Sequence, residues 1–160
     1  MFITPSFMSL GSGSGSALDA YLKELGTLNR WMERYPDVTL MLTHGLGWRT
    51  FREPDGIAVP ERVYDAAPCD NPNFLVQLMF PIFFGGDWDY PMPQIRPTLE
   101  QAARRIGPER LTWGTDIPMV MRFHTYRQSL DALQLNLDFL ASEEADMIMG
   151  GNMARMMGIE

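Results

Sequence analysis

Three short segments of this chain, Val38–Thr43, Phe74–Phe80 and Leu111–Trp113, are almost continuously apolar or β-branched, and the residues between them have helical periodicity. Strands of that composition are covered on both faces, as in a parallel sheet packed between helices. The helical pattern is clearest near the start. There Leu18, Tyr21, Leu22, Leu25, Leu28, Trp31 and Met32 recur every three or four positions after Ser16, a capping residue type, and the stripe stops before Pro36. Pro60–Ala67 predicts a short helix with Pro60 in its first turn, and Ile95–Ile106 predicts a longer one. Helix is expected again over Thr125–Leu140 and from Ser142, a capping candidate, to Met149, with a break at Gly150-Gly151 and a last turn capped by Asn152. With a β-like run at Phe2–Pro5, the order is strand then helix, four times over, which predicts a parallel α/β architecture. Two stretches stand apart. Residues 10–16 form a flexible Gly/Ser run that reads equally as a natural loop or a linker, and Pro81–Pro93 is a long loop rich in aromatic residues and proline.

With 160 residues and 46% hydrophobic content the chain can bury one core, so one domain or part of one is expected. Its 13 basic and 20 acidic residues give a net charge of −7, which opposes binding to a phosphate backbone, and no nucleic-acid partner is expected. No apolar run approaches the ~20 residues of a membrane span, and the start lacks a basic segment ahead of its apolar residues. A soluble, cytoplasmic protein without membrane contact is therefore the expectation. Cys69 is the only cysteine, which excludes an internal disulfide.

In parallel α/β folds the polar groups that perform chemistry collect beyond the C-terminal ends of strands. His44 and Asp116 both fall there. A histidine at such a position acts as a general base or a metal ligand, or simply bonds to its loop; an aspartate shuttles a proton, binds a cation, or caps a turn. Trp48, Phe83, Phe84, Trp88 and Tyr90 either line a pocket for an apolar or aromatic acid or seal the strand ends. Arg122 and His124 are candidates for contact with a substrate carboxylate, with a solvated loop as the plainer role for His124. Asp87 and Asp89 read as turn residues flanking Trp88, with a second acidic pair as the alternative.

The residues also resemble a known family. Tyr35–Gly47, which contains Leu40-Met41-Leu42-Thr43-His44-Gly45, resembles the sixth strand of the amidohydrolase-related barrels, the group that includes aminocarboxymuconate-semialdehyde decarboxylase-like enzymes. Arg110–Pro118, with Trp113-Gly114-Thr115-Asp116, resembles the eighth strand, and Gly150–Gly158 is similar to the closing helix. The resemblance implies a partial (β/α)₈ barrel comprising strands five to eight. It implies that His44 is the base or polarising group and that Asp116 is a metal ligand able to shuttle a proton. It also implies a divalent metal, zinc first, with manganese also suited. The expected chemistry is hydrolysis or decarboxylation of a small carboxylate-bearing, possibly aromatic, substrate, with Trp48, Trp88, Arg122 and His124 as candidate substrate contacts. Two departures matter: the family's first-strand histidine pair is not in this chain, and Thr4 or a neighbour stands where the fifth-strand histidine is expected. With only two histidines, a closed three-histidine site cannot form here. Either an upstream segment or a second chain supplies the remaining ligands, or the chain binds metal weakly or not at all; a homo-oligomer, or association with the missing half barrel, is the expected assembly. The alternative reading is a non-catalytic half barrel with a structural or assembly role only.

Overall fold

The structure, a computed structural model, describes residues 1–3 and 15–159. Four parallel strands form the main sheet: β1 (Phe2–Ile3), β2 (Leu40–Leu42), and, after a short hairpin of β3 (Arg52–Glu53) and β4 (Gly56–Ile57), β5 (Phe74–Leu78) and β6 (Leu111–Trp113). Their order across the sheet is β1-β2-β5-β6, with Met41 opposite Leu75 and Gln77 opposite Thr112. The helices are α1 (Gly15–Arg34), α2 (Glu61–Ala66), α3 (Phe80–Phe84), α4 (Arg96–Ile106), α5 (Tyr126–Leu135), α6 (Ser142–Asp146) and α7 (Asn152–Met157). The expected parallel α/β architecture is present. Thr4 and most of the Gly/Ser run lie outside the described residues.

Alternation along the strands divides the sheet into two faces. Leu40, Leu42, Phe74, Val76, Leu78 and Leu111 join one hydrophobic core with Tyr21, Leu25 and Met32 of α1, Val63 of α2, and Leu99, Ala102 and Ile106 of α4. The other face carries Met41, Leu75, Gln77 and Thr112, where the Thr112 hydroxyl approaches Met41 Sδ at 4.0 Å. A side chain on Gly114 would come within 2.4 Å of the Gln77 amide, so the strand end stays bare where Gln77 crosses it.

Several local expectations are corrected. Ser16 lies inside the first turn of α1 rather than capping it. The stretch after β5 is not all loop: Pro81, near the helix start where a missing N–H costs nothing, lets Phe80–Phe84 coil into α3. The helix expected to reach Leu140 ends at Leu135, because the Asn136 amide donates to the carbonyls of Ala132 (2.7 Å) and Pro91 (2.9 Å). Its start is a reciprocal cap, in which Gln128 N–H donates to Thr125 Oγ1 and Thr125 N–H donates to Gln128 Oε1. The helix from Ser142 continues as a wide turn, Met147–Gly151, and Gly150 breaks its helical path at φ 176°. Asn152 is not a cap. It is fully buried, and its amide donates to the carbonyls of Leu111 and Pro108, both at 2.7 Å, tying α7 to the start of β6.

Candidate active site at the strand ends

Among the described residues three other than glycine hold positive φ: Met92, at φ 58° in the buried core, and the pair His44 and Asp116. Each of that pair follows a buried strand, and both adopt left-handed backbone, at φ 65° for His44 and φ 54° for Asp116. That conformation costs a residue with a Cβ on the order of 1–2 kcal/mol and persists only where the surroundings enforce it. For His44 the enforcing element is the loop that follows. Gly45 is also left-handed, at φ 72°, and a Cβ there would lie 2.3 Å from the Trp48 ring, so the chain turns tightly over a buried tryptophan and projects His44 outward.

The two side chains meet. His44 Nε2 lies 3.8 Å from Asp116 Oδ2, and His44 Nδ1 lies 3.3 Å from Thr43 Oγ1. A gap of 3.8 Å is beyond direct hydrogen bonding, so imidazole and carboxylate are neighbours without a direct bond to each other. Both side chains remain partly open, at 24% and 39% exposure, and the His44 ring rests against Phe83 with centroids 5.8 Å apart. They border a cavity of about 470 Å³ whose other walls include Arg49, Arg122, Phe83, Phe123 and Met119.

Of the other sequence candidates, Arg122 lines this cavity. The two tryptophans turn inward. Trp48 is fully buried and stacks on Phe80 at 4.5 Å, while Trp88 stacks on Phe84 at 4.8 Å and donates its indole N–H to the Pro54 carbonyl. Phe80 and Phe84 sit one helical turn apart on α3 and link the two tryptophans into a single aromatic column beneath the site. The tryptophans thus support the site from below, because their ring area is better buried against the column than exposed. His124 is also inside, at 5% exposure, near the Tyr90 ring and so close to Gly85 that a Cβ there would meet its Nδ1 at 2.5 Å. Burial holds its pKa below the ordinary value, which keeps it neutral. Asp87 pairs with Arg52 at 3.0 Å. Sequence reasoning passed over Arg49 as a site residue; the available signal was its place in the same loop, five positions after His44.

His44 and Asp116 give two donors, where zinc takes about four. Among the described residues no group of three His, Cys, Asp or Glu side chains is placed to hold an ion. These residues do not make a metal site on their own.

The amidohydrolase family model matches residues 14–159, nearly the whole chain. The chain belongs to the amidohydrolase family. Among solved structures it is similar to an amidohydrolase from Burkholderia multivorans crystallised with bound zinc, at 20% identity and a TM-score of 0.67, over 87% of this chain and 50% of that one. A second crystal form of that Burkholderia protein, with bound HEPES, gives a TM-score of 0.66 at the same identity. A probable 2-pyrone-4,6-dicarboxylic acid hydrolase from Acinetobacter baumannii, crystallised with citric acid, matches at 12% identity and a TM-score of 0.59, over 98% of this chain and 63% of that one. No curated protein matches the chain in sequence. At these identities the structural likeness establishes the fold, a mixed α/β architecture with a parallel sheet consistent with part of a (β/α)₈ barrel. The chain spans about half the length of the Burkholderia amidohydrolase that it matches. Among the described residues no helix is long and apolar enough to cross a membrane.

Proposed function

We propose that this amidohydrolase chain supplies strands five to eight of a (β/α)₈ barrel and the acid–base half of an active site for hydrolysing or decarboxylating a small carboxylate-bearing substrate. The observation that carries this reading is the His44–Asp116 pair. Both residues hold left-handed backbone at the C-terminal ends of parallel strands, 3.8 Å apart, on the wall of one cavity. In hydrolysis, His44 takes a proton from the attacking water and returns it to the leaving group, with Asp116 orienting the imidazole or the water. In decarboxylation, His44 gives its proton to the carbon that loses carbon dioxide. The pyrone-dicarboxylate hydrolase among the structural relatives supports an acidic substrate. A panel of lactones and amides, followed by acid release, and one of hydroxybenzoate-type acids, followed by carbon dioxide release, in the presence of zinc tests the proposal. Turnover that survives His44→Asn would sink it.

A second reading is a non-catalytic half barrel, which rests on the incomplete set of metal donors among the described residues. Both readings call for a partner on the open sides of the sheet. β1 and β6 are its terminal strands. Beside β6 lies a groove of about 720 Å³ walled largely by Trp113, Ile148, Met149, Met153 and Met157, with Gln77, Thr115 and Asp116 also on its wall. Trp31 and Leu28 of α1 border another hollow together with Met1, next to β1. Edges and faces of this kind favour association, with a second copy or with the complementary half of a barrel.

A further inference from the structure

The turn after β2 brings two neighbouring side chains together. In an extended strand successive residues point to opposite faces, and His44 would project away from Thr43. The left-handed backbone of His44, at φ 65°, reverses this, and the ring folds back until its Nδ1 lies 3.3 Å from the Thr43 hydroxyl. By the alternation of β2, Thr43 continues the face of Met41, opposite to the face on which Leu40 and Leu42 join the core. The other nitrogen of the ring faces Asp116, with Nε2 3.8 Å from Oδ2. The imidazole thus sits between a hydroxyl at one nitrogen and a carboxylate at the other, and Phe83 packs against it with ring centroids 5.8 Å apart.

The two neighbours differ in what they can do. A neutral imidazole carries one N–H, on either nitrogen, and its other nitrogen accepts. A carboxylate only accepts, whereas a hydroxyl donates or accepts by turning about its C–O bond. Negative charge beside Nε2 favours the N–H there, which leaves Nδ1 as the acceptor that the Thr43 hydroxyl reaches.

Building on the acid–base reading of His44, we infer that Thr43 is a positioning residue whose hydroxyl donates to His44 Nδ1 and holds the resting imidazole as the tautomer with its N–H at Nε2, turned toward Asp116 and the cavity. The hydrogen bond made by one ring nitrogen decides which form the other presents to the chemistry. A hydroxyl suits a ring that both takes and returns a proton. When Nδ1 carries the N–H, the same hydroxyl turns and accepts, so the ring keeps its place in either form. A valine at this position has the same branched shape and no partner for Nδ1.

Nitrogen NMR of the intact chain with labelled imidazoles tests this, in mildly alkaline solution where an imidazole is neutral. His44 and His124 are the only histidines, so the spectrum of His124→Gln assigns His44. The native chain should show Nε2 of His44 at the protonated position and Nδ1 at the unprotonated one, displaced to lower shift as an accepting nitrogen is. In Thr43→Val, Nδ1 should move to higher shift and the fraction with N–H at Nδ1 should rise toward that of free histidine. Thr43→Ser should restore the native spectrum. Circular dichroism confirms that each variant keeps its fold, and Thr43→Ala replaces Thr43→Val if the valine does not. An N–H at Nδ1 in the native chain overturns the inference, as does a native spectrum in the variant that lacks the hydroxyl. Failure here is distinguishable from failure of the catalytic reading. The expected spectra in a protein whose turnover survives His44→Asn leave the Thr43 contact standing and remove the catalysis. Turnover that needs His44, with an unchanged spectrum in Thr43→Val, removes the positioning role and leaves the catalysis.

Discussion

His44 Nε2 and Asp116 Oδ2 stand 3.8 Å apart although 72 residues separate them in sequence, and each is held there by left-handed backbone just past a buried strand. On the proposed function, position in the fold separates residues for chemistry from residues for stability. In an assembled, active form, His44→Asn and Asp116→Asn should each lower the catalytic rate about a hundredfold or more. Asparagine tolerates left-handed backbone, so folding should be little changed. Leu40→Ala, in the fully buried body of β2, should cost about 2–5 kcal/mol of stability while sparing the rate of the folded molecules. Steady-state rates set beside urea unfolding midpoints check both halves.

The Asn152 amide should matter as much as a core leucine. Asn152→Ala removes the donors to two carbonyls, Pro108 and Leu111, from a residue that is fully buried. A loss of about 2–3 kcal/mol is expected, measured by urea denaturation, since each orphaned acceptor costs about 1 kcal/mol or more. Asn152→Asp should be worse, because a carboxylate would face those carbonyls without donors.

Burial of His124 couples stability to pH. Its folded-state pKa lies below the ordinary 6.5, so the unfolded chain takes up the proton first. The stability tied to neutral His124 is present above pH 6.5 and drains away as the pH falls from there through the lower folded value. Thermal unfolding between pH 7.5 and 5 should show a steeper decline for the native chain than for His124→Gln. Parallel declines would mean that the histidine titrates equally in both states.

Metal retention follows from the donor count. With His44 and Asp116 as the converging pair, the chain alone should release zinc on dialysis against a chelator, as elemental analysis would record. Stoichiometric zinc after prolonged dialysis would place further ligands in a second copy or in residues beyond those described.

Assembly should be concentration-dependent. Sedimentation velocity is expected to show dimers or larger species, driven by the β1 and β6 edges and by the methionine-lined groove beside β6. Replacing Met153 with Glu at the centre of that groove should shift the population toward monomer. A compact monomer at all concentrations, for the native chain, would mean that the edges are already covered.

Much of the fold was legible in the sequence because it rests on local signals. Continuous apolarity marked β2, β5 and β6, three-and-four spacing marked α1 and α4, and position at a strand end picked out His44 and Asp116. The tertiary structure decided what depends on packing between distant segments. It turned Trp48 and Trp88 into the ends of a buried stack through Phe80 and Phe84, and enclosed His124 against Gly85. It also gave Asn152 its carbonyl partners on another element and brought Arg49 and Arg122 to the same cavity wall as His44 and Asp116. The physical reason is range. Periodicity and capping act within a few residues, whereas the Phe80 partner of the Trp48 ring, the Leu111 partner of the Asn152 amide and the Asp87 counterion of Arg52 stand 32, 41 and 35 positions away in sequence, and only the folded chain brings them together.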